Sequence, residues 1–402
     1  MLYRTMPKNG DRLSVLGFGC MRLPVDESGA IDDERAIGQI RQAVDRGVNY
    51  VDTAWAYHGG HSEGLVGRAM KDGYREKVKV ATKLPSWLIK TREAMDDYLS
   101  RQLERLETDG IDYYLLHTLT GESWDKLEGL GVCEFLDRAL ADGRIVNAGF
   151  SFHGAAEDFR RIVDAYPWTF CQIQYNYLDE QLQAGKAGLE YAASKEMGVI
   201  VMEPLRGGSL ALPDAPPAVK EIWDEAEEKR TPVEWALRWV WDHPEVTVVL
   251  SGMNVEAHIE ENLAIAEAGL ADSFNDIERE IVRRAGEKYR ELMKVGCTAC
   301  GYCMPCPAGV MIPVIFEVYN KMHLFGNEAE AKFVYAARMS GDLTSREPGY
   351  ASQCVECGEC VDKCPQHIEI PQHLAAVAEE LEGPDLETLV ATAKAIFSGE
   401  TS

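Results

Sequence analysis

Eight of the eleven cysteines fall in two short strings, CTACGYCMPCP from Cys297 to Pro307 and CVECGECVDKCP from Cys354 to Pro365. Within each string a sulfur recurs at about every third residue, on a loop bent by small residues and stopped by proline. Successive thiolates on such a loop point at one centre, and that geometry suits an iron–sulfur cube. Structural zinc is the competing reading, since paired Cys-x2-Cys motifs bind it. Zinc takes four sulfurs per ion, however, and gives no reason for uninterrupted runs of four that end in Cys-Pro. Disulfides compete less well: MLYRTMPKNG has no apolar segment of signal-peptide length, and thiols persist in a reducing cytoplasm, the expected location.

The second string, C-x2-C-x2-C-x3-C-P, resembles the ligand run of bacterial two-cluster ferredoxins, in which the fourth cysteine of each run ligates the other cluster. The resemblance implies one [4Fe-4S] cluster on Cys297, Cys300, Cys303 and Cys364, and a second on Cys354, Cys357, Cys360 and Cys306. The first string departs from the pattern by one residue, with two rather than three between Cys303 and Cys306. The helix-patterned spacer IFEVYNKMHLFGNEAEAKFVYAARM looks like the α-helical variety of these modules. Each Cys-Pro turn leads to an Ile-Pro step, Ile312-Pro313 and Ile370-Pro371, and then to a helical pattern, an internal repeat of two half-modules.

The 402 residues are strongly acidic overall, with 66 acidic against 41 basic side chains and a formal net charge of −25. That balance argues against nucleic acid or an anionic membrane as a partner. No apolar run reaches the roughly 18–20 residues of a spanning helix. Eight β-branched apolar runs are expected as strands: Val15–Cys20, Asn49–Ala54, Lys77–Lys83, Asp112–His117, Asn147–Phe152, Phe170–Asn176, Gly198–Glu203 and Thr247–Gly252. Amphipathic helical patterns separate them, so the fold class is α/β, a (β/α)8 TIM barrel followed by a mainly α-helical ferredoxin-like domain. A doubly wound sheet is the alternative, but six strands are more usual there and no GxGxxG follows the first strand. The expected domains are residues 1–290 for the barrel, 291–382 for the dicluster domain and 383–402 for a helical tail with a polar end. The segment before Cys297 reads as one helix with a capping box from Ser273 to Asp276.

Barrel active sites sit at the C-terminal ends of the strands. The polar residues expected there are Asp52, Tyr57, Lys83 and His117. Each alone has a plain explanation as a turn cap, loop packing or a strand end. Together they make a proton-transfer site. Tyrosine, with an ordinary pKa of about 10, is a weak acid–base group at neutral pH, and an adjacent ammonium favours its phenolate and lowers that value. A carboxylate fixes the ammonium, and a neutral imidazole orients a carbonyl oxygen.

At these residues the chain resembles the aldo-keto reductases. DTAWAY (Asp52–Tyr57), the ATK ending in Lys83 and the LLH ending in His117 match that family's catalytic tetrad in order and strand position. GFS ending in Ser151, QIQYN from Gln172, EPLRGG with Leu205 and Arg206, and the stretch from Ser251 to Leu263 fall where the family binds NADP or NAD. The resemblance implies that Ser151 and Gln172 hold the carboxamide, and Glu261 and Asn262 the adenine. Met202 replaces a stacking tyrosine, Phe152 an amide side chain, and His258 an arginine that reads the 2′-phosphate, which leaves both dinucleotides open; Arg206 is then expected to pair with the pyrophosphate. Met21, Trp55 and Trp87 are expected around the substrate, while Cys20, Cys133 and Cys171 read as small hydrophobes.

Three functional readings follow. The barrel is a carbonyl/alcohol oxidoreductase whose clusters are structural or exchange electrons with an external carrier such as ferredoxin; or the clusters conduct single electrons to a substrate or a flavin in the barrel; or the chain is a low-turnover redox sensor or partner-binding subunit. From Glu291 onward 16 acidic residues face 7 basic ones, a surface suited to a basic redox partner.

Overall fold

The computed structural model describes residues 1–341 and 347–398; the expected polar end, 399–402, lies outside them. Two compact units are present, Met1–Arg206 with Arg230–Asp276, and Gly207–Lys229 with Ile277–Ser402. The helix Asp276–Leu292 buries Ile281, Val282, Ala285 and Tyr289, and its Arg284 pairs with Glu225 through two bonds of 2.5 and 2.7 Å. The Arg284–Glu225 pair joins the 207–229 segment to this helix within the second unit. The capping box does not form, because the helix starts at Asp276 and the Ser273 hydroxyl has no partner.

In the first unit an antiparallel hairpin, β1 (Tyr3–Thr5) and β2 (Arg12–Ser14), precedes eight parallel strands: β3 (Leu16–Gly19), β4 (Tyr50–Asp52), β5 (Lys79–Leu84), β6 (Ile111–Leu119), β7 (Ile145–Phe152), β8 (Phe170–Gln174), β9 (Gly198–Met202) and β10 (Val246–Ser251). They close in the order β10-β3-β4-β5-β6-β7-β8-β9. All eight expected strands are present, each within two residues of its expected ends. The barrel interior is filled by Tyr50, Ala81, Tyr113, Leu115, Phe170, Ile200, Val248 and Leu250, together with Met6 and Leu13 from the hairpin. Met6 plugs the floor closely enough to require glycine opposite it: a Cβ on Gly198 would stand 1.9 Å from the Met6 sulfur. Arg4 clamps the hairpin to the barrel by donating to the carbonyls of His243 and Val246 at 2.8 and 2.5 Å, and to that of Trp241.

The second unit is helical around its own core. Ile312–Phe325, Glu328–Met339 and Ile370–Leu381 bury Ile315, Phe316, Tyr335, Leu374, Val377 and Leu381. Both Ile-Pro steps open helices, with Pro313 and Pro371 in the first turn, where a missing N–H costs nothing. Buried Asn320 accepts from the amides of Lys294 and Val295 at 3.1 and 2.9 Å and donates to the Val295 carbonyl at 2.8 Å, which fixes the chain just before Cys297.

Candidate active site and cluster sites

The ends of β4, β5 and β6 and the turn after β4 bring the four tetrad residues together. Asp52 closes β4 and Lys83 lies near the end of β5. Their side chains are 3% and 0% exposed, and the ammonium donates to Asp52 Oδ1 at 2.6 Å. It also donates to the Thr53 carbonyl at 2.8 Å and to the Tyr57 hydroxyl at 3.3 Å. His117, in β6, meets the Tyr57 ring edge-on at 5.9 Å between centroids and packs against Trp87 at 5.2 Å.

Burial dominates the electrostatics. It pushes the Asp52 carboxyl up against the opposing pull of Lys83. The expectation that Lys83 lowers the Tyr57 pKa is not met: burial, then the Asp52 charge, holds the phenol well above its ordinary value, with Arg22 acting the other way. Solvation that a phenolate would lose outweighs one nearby ammonium whose charge is already engaged by a carboxylate. Burial, followed by Lys83 and His153, holds His117 well below the usual histidine range, so its ring is neutral at pH 7.

The residues expected around the dinucleotide are distributed over the later strands. Ser151, in β7, accepts from the Thr118 amide at 2.8 Å. Gln172, in β8, donates to the Met202 sulfur at 3.4 Å, while its buried Oε1 has no partner. An orphaned amide oxygen beside a soft acceptor fits a nicotinamide carboxamide. Ser251, at the end of β10, accepts from Asn262 at 2.8 Å, and Glu261 accepts from Thr231 at 3.0 Å. Leu205 is half-buried. Arg206 is buried and donates to Asp179 at 2.9 Å; this pairing with the chain's own carboxylate was not anticipated. Trp87 is exposed, Trp55 lies under Arg105, and Cys20 and Cys171 are buried.

Sequence reasoning missed Glu63, Gln102, Arg105 and His153. Glu63 follows the DTAWAY turn by six residues, but its partners lie 19 to 42 residues away, so no local pattern marks it.

In the second unit the eight cysteines border two cavities. Cys297, Cys300, Cys303 and Cys364 line one, walled by Ile312, Phe316, Ile368 and Ile370. Cys303, Cys306, Cys354, Cys357 and Cys360 line the other, so Cys303 borders both. The same groups act on each other electrically. Burial with Cys300, Cys297 and Cys364 pushes the Cys303 thiol up to about 12, and Cys354, Cys357 and Cys306 act on Cys360. Among the described residues no three cysteine, histidine or acidic side chains converge on a single-ion point. Four thiols around an apolar-walled cavity fit a polynuclear iron–sulfur cluster.

The model of the Aldo/keto reductase family matches residues 15–283, and that of the 4Fe-4S dicluster domain matches residues 296–369. A probable aldo-keto reductase 1 of Glycine max is 25% identical over 296 residues, which cover 65% of this chain and 84% of that protein. The aldo-keto reductase yakc of Schizosaccharomyces pombe, whose name includes NADP(+), is 27% identical over 212 residues, covering 50% of this chain and 60% of that protein. The holo form of aldo-keto reductase AKR11C1 from Bacillus halodurans shares the fold, with a TM-score of 0.59 at 23% identity over 71% of this chain and 96% of that one. The chain thus belongs to the aldo/keto reductase family of oxidoreductases and carries a 4Fe-4S dicluster domain behind its barrel.

Proposed function

We propose that residues 1–290 form a nicotinamide-dependent module interconverting small carbonyl compounds and alcohols, with Tyr57 as the proton carrier. The observation that carries this reading is the line Asp52–Lys83–Tyr57, a buried ion pair reaching a half-buried phenol with bonds of 2.6 and 3.3 Å, beside a neutral His117. A bound dinucleotide supplies or takes the hydride. The raised pKa keeps Tyr57 a phenol at neutral pH, so it donates its proton to the carbonyl oxygen in reduction. Lys83, fixed by Asp52, stabilises the phenolate left behind, and His117 holds the substrate oxygen in line with the phenol. The Gln172 amide takes the carboxamide with Ser151, and Ser251, Asn262 and Glu261 meet the adenosine end; Leu205 and Arg206 border the phosphates, with Arg206 held by Asp179. NADP(+) in the name of the S. pombe relative supports NADP as the dinucleotide. Tyr57→Phe should lower kcat by about two to four orders of magnitude while leaving dinucleotide affinity, read by fluorescence titration, unchanged. Full turnover in this variant would reject Tyr57 as the proton carrier.

Residues 291–382 form, on the same reading, a module for two [4Fe-4S] clusters, followed by a helical tail from residue 383. Cys297, Cys300, Cys303 and Cys364 hold one, and Cys354, Cys357, Cys360 and Cys306 the other; the first four line one cavity together and the second four the other, which supports this reading. When bound, the clusters supply one-electron chemistry toward a carrier of ferredoxin type. Eight free thiols suit the reducing cytoplasm. Anaerobically purified protein should contain about eight iron atoms per chain, and Cys306→Ala should lose about half of them. Iron content unchanged by that variant would remove Cys306 from the ligand set.

A further inference from the structure

We propose that Glu63 and Arg105 are positioning residues that set the approach of Tyr57 to Lys83, an inference that rests on Tyr57 being the proton carrier. Glu63 lies at the start of the helix Ser62–Ala69, and its side chain is fully buried. A carboxylate in such a place must be paired, and this one has three donors. Its Oε1 accepts from Thr82 Oγ1 and from Gln102 Nε2, both at 2.6 Å, and its Oε2 accepts from Arg105 at 3.1 Å.

Each donor leads back to the tetrad. Thr82 precedes Lys83 in β5, and Gln102 also donates to the Lys83 carbonyl at 3.0 Å. Gln102 is itself fixed by the Tyr114 hydroxyl, which donates to its Oε1 at 2.8 Å. Glu63 thereby anchors the backbone that carries the ammonium. On its other side Arg105 lies 3.5 Å from the centre of the Trp55 ring, and Tyr98 closes on the same ring edge-on at 4.7 Å. Trp55 stands two residues before Tyr57, so the guanidinium underlies the turn that presents the phenol.

That turn needs support. His58, Gly59 and Gly60 all have positive φ, 52°, 62° and 93°, and the non-glycine His58 holds such a conformation only where its surroundings enforce it. His58 Nε2 accepts from the Leu23 amide at 3.0 Å. The two terminal nitrogens of Arg105 lie 3.7 Å from where a Gly60 Cβ would stand. One buried carboxylate therefore holds both the strand of Lys83 and, through Arg105 and Trp55, the turn of Tyr57. The 3.3 Å separation of ammonium and phenol is the quantity it controls.

Steady-state reduction of a nitrobenzaldehyde probe by NADPH tests this in the full holoprotein, with Tyr57→Phe in parallel. Arg105→Met should lower kcat about 10- to 100-fold, as expected for a reacting group displaced by a fraction of an ångström. It should leave NADPH affinity within twofold, and should move the alkaline limb of the kcat–pH profile, which a merely structural role would not move. Arg105→Lys, which keeps a cation over Trp55, should recover part of the loss. Folded Arg105→Met with unchanged kcat and pH profile overturns the inference. If Arg105→Met does not fold, the near-isosteric Glu63→Gln is judged by the same two readouts. Full turnover in Tyr57→Phe removes the reading beneath the inference; an inactive Tyr57→Phe beside an unaltered Arg105→Met overturns the inference alone.

Discussion

Lys83 and Asp52 form an ion pair inside the barrel with almost no solvent at either side chain. Burying two charges is unfavourable unless each satisfies the other, and removing one leaves the second stranded. Lys83→Met should therefore cost about 3–5 kcal/mol of stability, and Asp52→Asn a similar amount. The double variant should lose much less than the sum, because no lone charge remains. Denaturant unfolding of the four proteins checks this, and additive losses would contradict it. The members of this site were legible in the sequence because DTAWAY, ATK and LLH each sit at a strand end. The direction of the Tyr57 shift was not, since it depends on how much water the closed barrel excludes. The pairing of Arg206 with Asp179 was hidden for a related reason: 27 residues separate them, and only folding of the loops after β8 and β9 joins them.

Strands were the most readable elements. A parallel barrel buries its strands on both faces, so they appear as continuous apolar runs whose ends are marked by polar residues and glycine. Helix ends were less readable, as Ser273 shows: its hydroxyl-to-acid spacing suggests a cap, yet the helix begins three residues later. Caps supplied from a distance leave even less trace. Asn320, on the helix Ile312–Phe325, satisfies three backbone groups of Lys294 and Val295 that nothing near them in sequence could reach. Asn320→Ala strands these groups in a buried setting, and a loss of about 2–4 kcal/mol from the cluster unit is expected. Because the segment leads directly into Cys297, iron release to a chelator should also become faster. Denaturation followed at the cluster absorbance measures both effects.

For the whole barrel, buried and half-buried histidines set a pH dependence. His58, His117 and His243 are all held below 6.5, chiefly by burial. The unfolded chain takes up protons at these positions below about pH 6.5 while the native chain does not, so stability is full above that pH and falls as the pH drops toward the native values. For fully buried His117 the loss approaches about 1.4 kcal/mol per pH unit; half-exposed His58 contributes less. The melting temperature of the barrel should decline between pH 7 and 5.5, and His117→Asn should flatten that slope. By itself the sequence determined the eight-stranded barrel, the four polar residues gathered at its strand ends and the cysteine strings of the dicluster domain. Those depend on short-range signals: apolar runs of strand length, polar residues at their ends, and sulfurs spaced to converge on one loop. Tertiary structure alone decided the partition into units and the pairing of buried Glu63 with Arg105 behind the Tyr57 turn. Each joins residues far apart in the chain, and their energetics depend on exclusion of water, which no local spacing encodes.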